Sequence, residues 1–372
     1  MKRVIILGAT GSIGTTCLNS IRENKLPLNV VGISANTQVQ KLEKIGDDFH
    51  VRSLHIASNR AHCDCFDYYS SIAELLDSTE CDIVLNGISG FEGLAASTEV
   101  LKRGLDLALA NKESVVSGGS YIFKLAEKTG SKIIPVDSEH SAIKALLDAH
   151  KSSHVDKLII TASGGPFRTL PLSEFKNITV ERALNHPTWK MGKKITIDSS
   201  TLANKALEVI EASYLFNFDK DHIEVVVHPQ SIVHSMIRMK DGAIYSQMGT
   251  PNMSLPIIEG LLGTYDDCNL VKPLGFDALS LTFEKPDFKK FPLLKISYDI
   301  LESGKGYPIA FNGSNEVAVV SFLDNQITYL QLQDCVLDVM QNDFSIASSS
   351  LEESIEIDKR ARELARNYIK QL

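Results

Sequence analysis

Asp137 and Glu139 are two carboxylates that closely follow the apolar run 132–136. We expect that run to be a strand, and open α/β sheets place their ligands at the carboxyl ends of strands. Two acids this close repel each other unless a cation lies between them or they point apart. Alternatively, the segment only caps a helix, with Ser138 as the N-cap and the acids favoured by the helix dipole. These residues alone leave both interpretations open.

A second group of polar residues lies on a long helix that the sequence predicts from about 199 to 215, with Ser199 or Ser200 at its start. Spacings of three and four residues place Asn204, Lys205 and Glu208 on one face of that helix. Hydroxyl and N–H groups at the helix start would suit a phosphate, and Lys205 would supply positive charge. The alternative is a surface helix with an ordinary Lys–Glu pair.

Asp137, Glu139 and Glu208 together would form a site made only of oxygen ligands. Such a site suits Mg²⁺ or Mn²⁺ rather than zinc. The six cysteines show no zinc-site spacing. We therefore expect His62-Cys63-Asp64-Cys65 to be a surface loop rather than a soft-metal cluster.

Glycines at positions 8, 11 and 14 stand between the first predicted strand and the first predicted helix. Glycine permits a tight turn with close backbone approach, and the helix start offers N–H groups to a pyrophosphate. A glycine-rich turn without a ligand is the alternative. The second strand is followed by Ser34–Thr37, without the acid typical of NAD sites, which favours NADP. No basic residue appears there before Lys41.

Two further segments lie between the two polar groups. Ser163-Gly164-Gly165-Pro166 follows a predicted strand and forms a small-residue turn that could approach an anion. Residues 185–194 break helix and strand patterns alike and contain the only tryptophan, Trp189. This segment is either a packed surface loop or a lid over the site.

Composition narrows the possible classes of function. A chain of 372 residues suffices for two or three domains with buried cores. Its formal charge of −8 makes it a poor candidate for binding nucleic acid or acidic membranes. Since no apolar run approaches the length of a membrane span or signal peptide, and the cysteines are scattered, we expect a cytoplasmic protein with reduced thiols.

Strand and helix patterns alternate over the first 137 residues, which predicts a parallel, doubly wound sheet. The β-rich runs are 3–8, 28–34, 53–58, 82–86, 105–110 and 132–136, and the helical stretches include 12–23, 91–103 and 118–128. Further on, 231–239 and 243–248 flank a hairpin turn, and the last helices are expected at 293–303, 314–324, 330–341 and 351–370.

The predicted fold is therefore α/β, with a Rossmann-like NADP-binding domain at 1–137 and a central α/β domain at 138–255. A connector at 256–290 and a helical bundle at 291–372 would follow.

Seven stretches of the chain match one enzyme family in order and spacing. They are GATGSIG (8–14), ANKES (110–114), PVDSEH (135–140), SGGPF (163–167), HPTWKMG (186–192), NKALE (204–208) and HPQS (228–231). On these motifs the whole chain resembles the 1-deoxy-D-xylulose 5-phosphate reductoisomerases of non-mevalonate isoprenoid biosynthesis.

The resemblance implies a role for each matching position. The NADPH contacts would be Thr10, Gly11, Ser12, Ile13, Asn111, Glu113 and Gly192. The ligands of a divalent metal (magnesium, manganese or cobalt) would be Asp137, Glu139 and Glu208. The substrate phosphate would bind Ser163, Ser199, Asn204 and Lys205. Further substrate contacts would be Lys112, Ser138, Glu139, His186 and Glu208, and the flap would include Trp189 and Met191. The implied catalytic set is Lys112, Asp137, Glu139, His186 and Glu208.

The implied reaction breaks and re-forms a carbon–carbon bond of 1-deoxy-D-xylulose 5-phosphate and then transfers hydride from NADPH to the resulting aldehyde. The product would be 2-C-methyl-D-erythritol 4-phosphate. The resemblance also implies a homodimer through the central domain, with the strands at 231–248 as candidate interface. One departure is Asn36-Thr37-Gln38, where many members have Gly, then Lys or Arg, then Asn. NADPH use therefore rests on the missing acid and on the resemblance.

Two other classes of protein could share a first domain of this kind. A semialdehyde-type dehydrogenase needs a nucleophilic cysteine in its second domain, and this chain has none between Cys81 and Cys268. A redox-sensing NADP-binding protein would need neither the metal acids nor the phosphate helix. Metal-dependent turnover would exclude it.

Overall fold

The computed structural model describes residues 1–58, 65–263 and 270–372. The chain forms two compact units: the first comprises Met1–Ser114, Ser120–Ser141 and Asn252–Pro273, and the second Val115–Gly119, Ala142–Pro251 and Leu274–Leu372. Residues 62–64 of the expected surface loop lie outside the described residues. Within the described ranges, no helix is both long and apolar enough to cross a membrane.

The strands are β1 Lys2–Leu7, β2 Leu28–Ala35, β3 Ser53–Ile56, β4 Asp67–Tyr69, β5 Ile83–Asn86, β6 Asp106–Leu109, β7 Ile133–Pro135, β8 Val155–Ala162, β9 Ile223–Val227, β10 Val233–Met239 and β11 Ile244–Met248. The helices are α1 Ser12–Asn24, α2 Val39–Phe49, α3 Ile72–Ser78, α4 Glu92–Lys102, α5 Lys112–Thr129, α6 Ser138–Ala149, α7 Val180–Leu184, α8 Lys193–Thr201, α9 Ala203–Phe216, α10 Ser254–Leu262, α11 Pro292–Ser303, α12 Tyr307–Leu323, α13 Tyr329–Val339 and α14 Leu351–Ile369.

The first unit is built on a seven-stranded sheet of order β4-β3-β2-β1-β5-β6-β7, in which every neighbouring pair is parallel. Strand β1 is central, and its residues Val4–Leu7 are fully buried because a parallel sheet is covered on both faces. The chain leaves β1 towards β2 on one side and returns to β5 on the other, which makes the end of β1 a topological switch point. The predicted doubly wound fold is confirmed.

The expected connector at 256–290 is interrupted by helix α10. Its Ile257, Ile258 and Leu261 are fully buried in the core of the first unit. Pro256 was expected to mark irregular structure. It lies instead in the first turn of α10, where a proline fits because the N–H groups of that turn have no partner within the helix. Part of the predicted connector is therefore core structure.

The second unit contains a four-stranded sheet of order β11-β10-β8-β9, together with helices α11–α14. The predicted hairpin is present, since β10 and β11 pair antiparallel. Helix α11 packs on α9, and the buried Tyr329 of α13 donates a hydrogen bond to the Ser200 carbonyl. By packing, the C-terminal helices thus belong to the same unit as this sheet. The four-part functional division of the chain stays a prediction.

The single long helix predicted from about 199 to 215 is wrong: Leu202, at φ 57°, separates α8 from α9. Hydroxyl groups explain the break, since Ser200 Oγ and Thr201 Oγ1 bond back to the Ile197 carbonyl. Ser199 therefore lies in the last turn of α8 rather than at the start of a helix.

Candidate active site

The glycine-rich turn of the first unit joins β1 to α1 and requires its glycines. A Cβ on Gly14 would lie 2.5 Å from Ala9 Cα, and Gly8 has φ +79°. Gly11 is the N-cap of α1 and has no side chain to offer to the first N–H groups. Thr10, Gly11, Ser12 and Ile13 therefore present the backbone of a helix start, as a pyrophosphate site would need.

Asn111 is the N-cap of α5, directly after β6. Its Oδ1 accepts the Ser114 N–H at 2.7 Å, and its Nδ2 donates to Gly90 O at 3.0 Å and to Glu113 Oε2 at 2.9 Å. The polar side chains at this helix start, those of Asn111, Lys112, Glu113 and Ser114, are all buried. Such a network holds each side chain in one orientation.

Asp137 follows β7 and is held from two sides. Lys112 Nζ lies 2.8 Å from its Oδ2, and the Glu139 N–H donates to its Oδ1 at 3.3 Å. The Ser138 hydroxyl instead donates to Glu139 Oε2 at 2.6 Å. The capping interpretation is therefore partly right, but Asp137 rather than Ser138 accepts the helix N–H. The same carboxylate also pairs with the buried Lys112 ammonium, which capping alone does not require.

In the second unit, Asn204, Lys205 and Glu208 share one face of α9, as their spacing predicts. Asn204 Nδ2 donates to Glu208 Oε1 at 2.5 Å, and Lys205 Nζ contacts Glu208 Oε2. The side chains of Lys205 and Glu208 are only 4% and 1% exposed. A surface Lys–Glu pair is thereby excluded. Burying two charges costs desolvation free energy, which their mutual attraction and the hydrogen bond from Asn204 must offset.

His186 organises the segment between α7 and α8. Its Nδ1 accepts the N–H groups of Thr188 and Trp189 at 3.1 and 2.9 Å, and its Nε2 lies 3.0 Å from Ser163 Oγ. Because Nδ1 accepts both bonds, the neutral ring must hold its proton on Nε2, which donates to Ser163. Burial lowers the pKa of His186 below its usual value, which favours this neutral form.

The turn after β8 approaches α8 closely. Gly165 has φ +65°, and a Cβ there would lie 2.6 Å from the Ser199 carbonyl oxygen. This close approach brings the turn that contains Ser163 against the end of α8 that contains Ser199. An open cleft of about 570 Å³ adjoins Ser163, and Asn185 and Pro187 also line it. That volume is within the usual range of small-molecule sites.

Trp189 and Met191 are half-buried, Gly192 is the N-cap of α8, and Lys193 and Lys194 belong to that helix. The irregular segment is therefore 185–192, shorter than the predicted 185–194.

Asp198 is a buried acid for which the sequence predicts no role. Its Oδ2 lies 2.9 Å from Lys194 Nζ, and its Oδ1 accepts a hydrogen bond from Asn315 Nδ2 at 2.8 Å. The pair with Lys194 has helical i,i+4 spacing and could have been recognised, whereas nothing in the sequence pointed to Asn315 on α12.

Comparison with known proteins gives a consistent result. A sequence model of 1-deoxy-D-xylulose 5-phosphate reductoisomerase matches residues 4–119, and models of its C-terminal domains match 133–216 and 248–364. The reductoisomerase of Treponema denticola is 45% identical over 98% of this chain and 96% of its own length. The chain belongs to the 1-deoxy-D-xylulose 5-phosphate reductoisomerase family. The Treponema pallidum member is 42% identical over 100% of this chain and 98% of its own.

Solved structures of the family agree over the full length. The Zymomonas mobilis reductoisomerase in complex with NADPH has a TM-score of 0.91 at 36% identity, covering 100% of both chains. A DOX-P reductoisomerase in complex with NADPH, fosmidomycin and magnesium has a TM-score of 0.90 at 33% identity, covering 100% of this chain and 98% of its own. The predicted fold class and family are confirmed.

Proposed function

We infer that this protein catalyses the conversion of 1-deoxy-D-xylulose 5-phosphate to 2-C-methyl-D-erythritol 4-phosphate, with NADPH as reductant and a divalent metal. Family membership over the full length supports the reaction. The observation that carries it at the level of residues is the buried Lys205–Glu208 pair, with the half-buried Asn204 bonded to Glu208. Such a group has no evident use in a protein that binds only a nucleotide. The assignments of single residues below are part of this proposal.

NADPH would bind at the glycine-rich turn, with its pyrophosphate on the backbone of Thr10–Ile13 at the start of α1. Asn111 and Glu113 would line the cofactor in the first unit, and their mutual hydrogen bond orients both. Gly192, the N-cap of α8, would contact it from the flap segment.

Asp137, Glu139 and Glu208 would hold the divalent metal. Carboxylate oxygens are the ligands that magnesium and manganese prefer, and cobalt can use them too. Asp137 and Glu208 each face a lysine ammonium in the same unit, so both environments already accommodate positive charge beside the acid. A bound cation would stabilise negative charge that develops on the substrate oxygens.

The substrate phosphate would bind Ser163, Ser199, Asn204 and Lys205, with the Lys205 ammonium as the charged donor. Lys112, Ser138 and His186 would contact the reacting part of the sugar. The neutral His186 holds its proton at Nε2, so it can donate a hydrogen bond to a substrate oxygen in exchange for Ser163. Phosphate contacts far from the reacting carbons keep the fragments in place between bond breaking and bond formation.

Trp189 and Met191 would form the flap that excludes water from the reacting aldehyde. Both side chains are half-buried, and the backbone N–H of Trp189 donates a hydrogen bond to His186 Nδ1. The same imidazole would therefore touch the substrate and set the position of the flap.

A homodimer through the four-stranded sheet, in the cytoplasm, completes the proposal. β11 is an edge strand, and its Ile244 and Tyr245 are 53% and 45% exposed. Apolar side chains on an unpaired edge favour association with a second copy. The buried thiols Cys17, Cys81 and Cys335 are in keeping with a reducing compartment.

The test is an assay of NADPH oxidation with 1-deoxy-D-xylulose 5-phosphate, with and without Mg²⁺ or Mn²⁺. We expect substrate-dependent oxidation that stops when the metal is chelated and resumes when it is restored. Oxidation that is indifferent to metal, or none at saturating substrate, would contradict the proposed reaction. Mass measurement in solution tests the dimer, and Tyr245→Lys should shift it towards monomer.

A further inference from the structure

The end of β2 raises the question of how this chain would recognise the 2′-phosphate that distinguishes NADPH from NADH. In the sequence, residues 34–40 contain neither an acid nor a base. An acid there would hold the ribose 2′-hydroxyl and repel a 2′-phosphate, while a base would attract it. The nearest charged side chain that follows is Lys41.

Lys41 lies in the first turn of α2, and its side chain folds back onto the glycine-rich turn. Its Nζ donates to the Thr10 carbonyl at 2.7 Å. Thr10 directly precedes Gly11, the N-cap of α1. The ammonium therefore lies beside the turn proposed to hold the pyrophosphate, although in sequence it is 31 residues away.

The end of β2 is fixed to the same turn. The Gly8 N–H donates to Ser34 Oγ at 3.2 Å, and the Ala9 N–H donates to the Ser34 carbonyl at 2.8 Å. The chain just beyond is also held, because Ser58 Oγ donates to the Asn36 carbonyl at 2.6 Å. A ribose at the end of β2 would thus lie next to the glycine-rich turn and to Lys41.

The ammonium is available for a ligand. Lys41 is exposed, and an ammonium has three N–H donors, of which Thr10 accepts one. The nearest acid along α2, Glu43, accepts a hydrogen bond from Tyr68 at 2.6 Å. The positive end of the α2 dipole adds to the same electrostatic preference.

We propose that Lys41 binds the 2′-phosphate and sets the preference of this protein for NADPH over NADH. The proposal rests on the proposed use of a nicotinamide cofactor at the glycine-rich turn, and it names a cationic residue that would take the place of the Lys or Arg missing at Asn36-Thr37-Gln38. The competing role for Lys41 is a purely structural tie between α2 and the turn. The two roles predict different effects of a substitution. Loss of a 2′-phosphate contact weakens binding only of nucleotides that have this phosphate, whereas loss of a structural tie weakens binding of all nucleotides.

The test compares adenosine 2′,5′-bisphosphate with adenosine 5′-monophosphate by titration calorimetry of the full-length protein, alongside NADPH and NADH. We expect the wild type to bind the bisphosphate and NADPH more tightly. Lys41→Met should reduce that preference about 10-fold, because it removes one charge-assisted hydrogen bond. Lys41→Arg should retain most of the preference. Lys44→Met is the matched control, since it removes an exposed lysine from the same helix and should leave the preference unchanged.

Added salt should shrink the preference in the wild type and have little effect in Lys41→Met. The proposal is overturned if Lys41→Met weakens both nucleotides equally, which is the signature of a structural tie. It is also overturned if the variant keeps the wild-type ratio or if the wild type has no preference. A wild type that shows this preference but never turns over the sugar phosphate would refute the proposed reaction and leave the role of Lys41 standing.

Discussion

Lys205 and Glu208 lie three residues apart on one helix of the second unit, whereas Lys112 and Asp137 of the first unit each follow shortly after a strand, β6 and β7 respectively. Strands β6 and β7 pair in parallel, with Leu109 opposite Pro135, so the residues that follow them emerge side by side. The first ion pair is thus set by helical periodicity and the second by sheet topology. Both arrangements place an ammonium against a proposed metal ligand.

The two pairs also differ in exposure. Glu208 is 1% exposed and Lys205 4%, while Asp137 is 14% exposed and Lys112 6%. Asp137 has a second function as acceptor for the N–H of Glu139 at the start of α6. We therefore expect the pair of the second unit to tolerate the loss of one partner less well. The chemistry assigned to them differs too, since Lys205 would bind the phosphate and Lys112 the reacting end.

The largest expected effect is that of Glu208→Gln. It preserves shape and helix propensity but removes one charge from the proposed metal site. We expect kcat/KM to fall about 100-fold or more, because stabilisation of the developing negative charge is lost. NADPH binding, measured by calorimetry, should be retained because the cofactor turn belongs to the other unit.

The double variant Lys205→Met/Glu208→Gln separates chemistry from stability. The single variant leaves the Lys205 ammonium buried without its carboxylate, which costs about 3–5 kcal/mol, and removing both charges should restore most of that loss. Turnover should stay low in both variants. If Glu208→Gln turns over normally at limiting metal, Glu208 is not a ligand.

Lys205 and Lys112 should differ in how far their effect on turnover depends on the phosphate of the substrate. Lys205→Met should raise the substrate KM about 10- to 100-fold, as expected for a lost charge-assisted hydrogen bond. With 1-deoxy-D-xylulose, which lacks the phosphate, Lys205→Met should resemble the wild type. Lys112→Met, which loses a contact to the reacting part of the sugar, should be impaired with either substrate. Equal sensitivity of both variants to the missing phosphate would contradict the proposed division of roles.

The contrast between the pairs explains what the sequence could predict. The grouping of Asn204, Lys205 and Glu208 follows from spacing alone, and the alternation of strand and helix patterns over the first 137 residues predicts the parallel sheet. The break at Leu202 depends on hydroxyl groups that donate hydrogen bonds to a carbonyl of the preceding turn. The 3.6-residue period of apolar side chains gives no information about such bonds.

Contacts between elements distant in the sequence are harder still to predict. Asn315 meets Asp198 across 117 residues, and Lys41 meets Thr10 across 31, and no periodic pattern specifies either contact. The same holds for α10, whose apolar residues complete the core of a sheet formed more than 100 residues earlier. Such contacts depend on how whole elements pack.

A smaller effect is expected from protonation of His186. An imidazolium cannot accept hydrogen bonds, so acid should release the N–H groups of Thr188 and Trp189 from Nδ1. Because its folded-state pKa lies below the usual value of 6.5, the stabilisation is complete above about pH 6.5 and is lost as pH falls through the folded pKa.

Emission of Trp189, the only tryptophan, reports this change directly. We expect constant emission above about pH 6.5 and a shift below it. In His186→Gln, which cannot titrate, the shift should disappear, and Trp189→Phe should abolish the signal while the fold is kept. An identical acid transition in His186→Gln would assign the change to another group.

The smallest expected effect concerns the helix start at Asp137. This carboxylate accepts a backbone N–H at the start of a helix in addition to its ion pair, whereas Glu208 lies in the interior of α9. Asp137→Asn removes the charge facing Lys112 but keeps an oxygen that can accept the Glu139 N–H, whereas Asp137→Ala removes both. In the absence of metal, we expect the Ala variant to be about 1 kcal/mol less stable to urea than the Asn variant, the usual value of an N-cap. Equal stability would mean that the hydrogen bond from the Glu139 N–H adds nothing measurable, and that Asp137 contributes to stability only through its ion pair with Lys112.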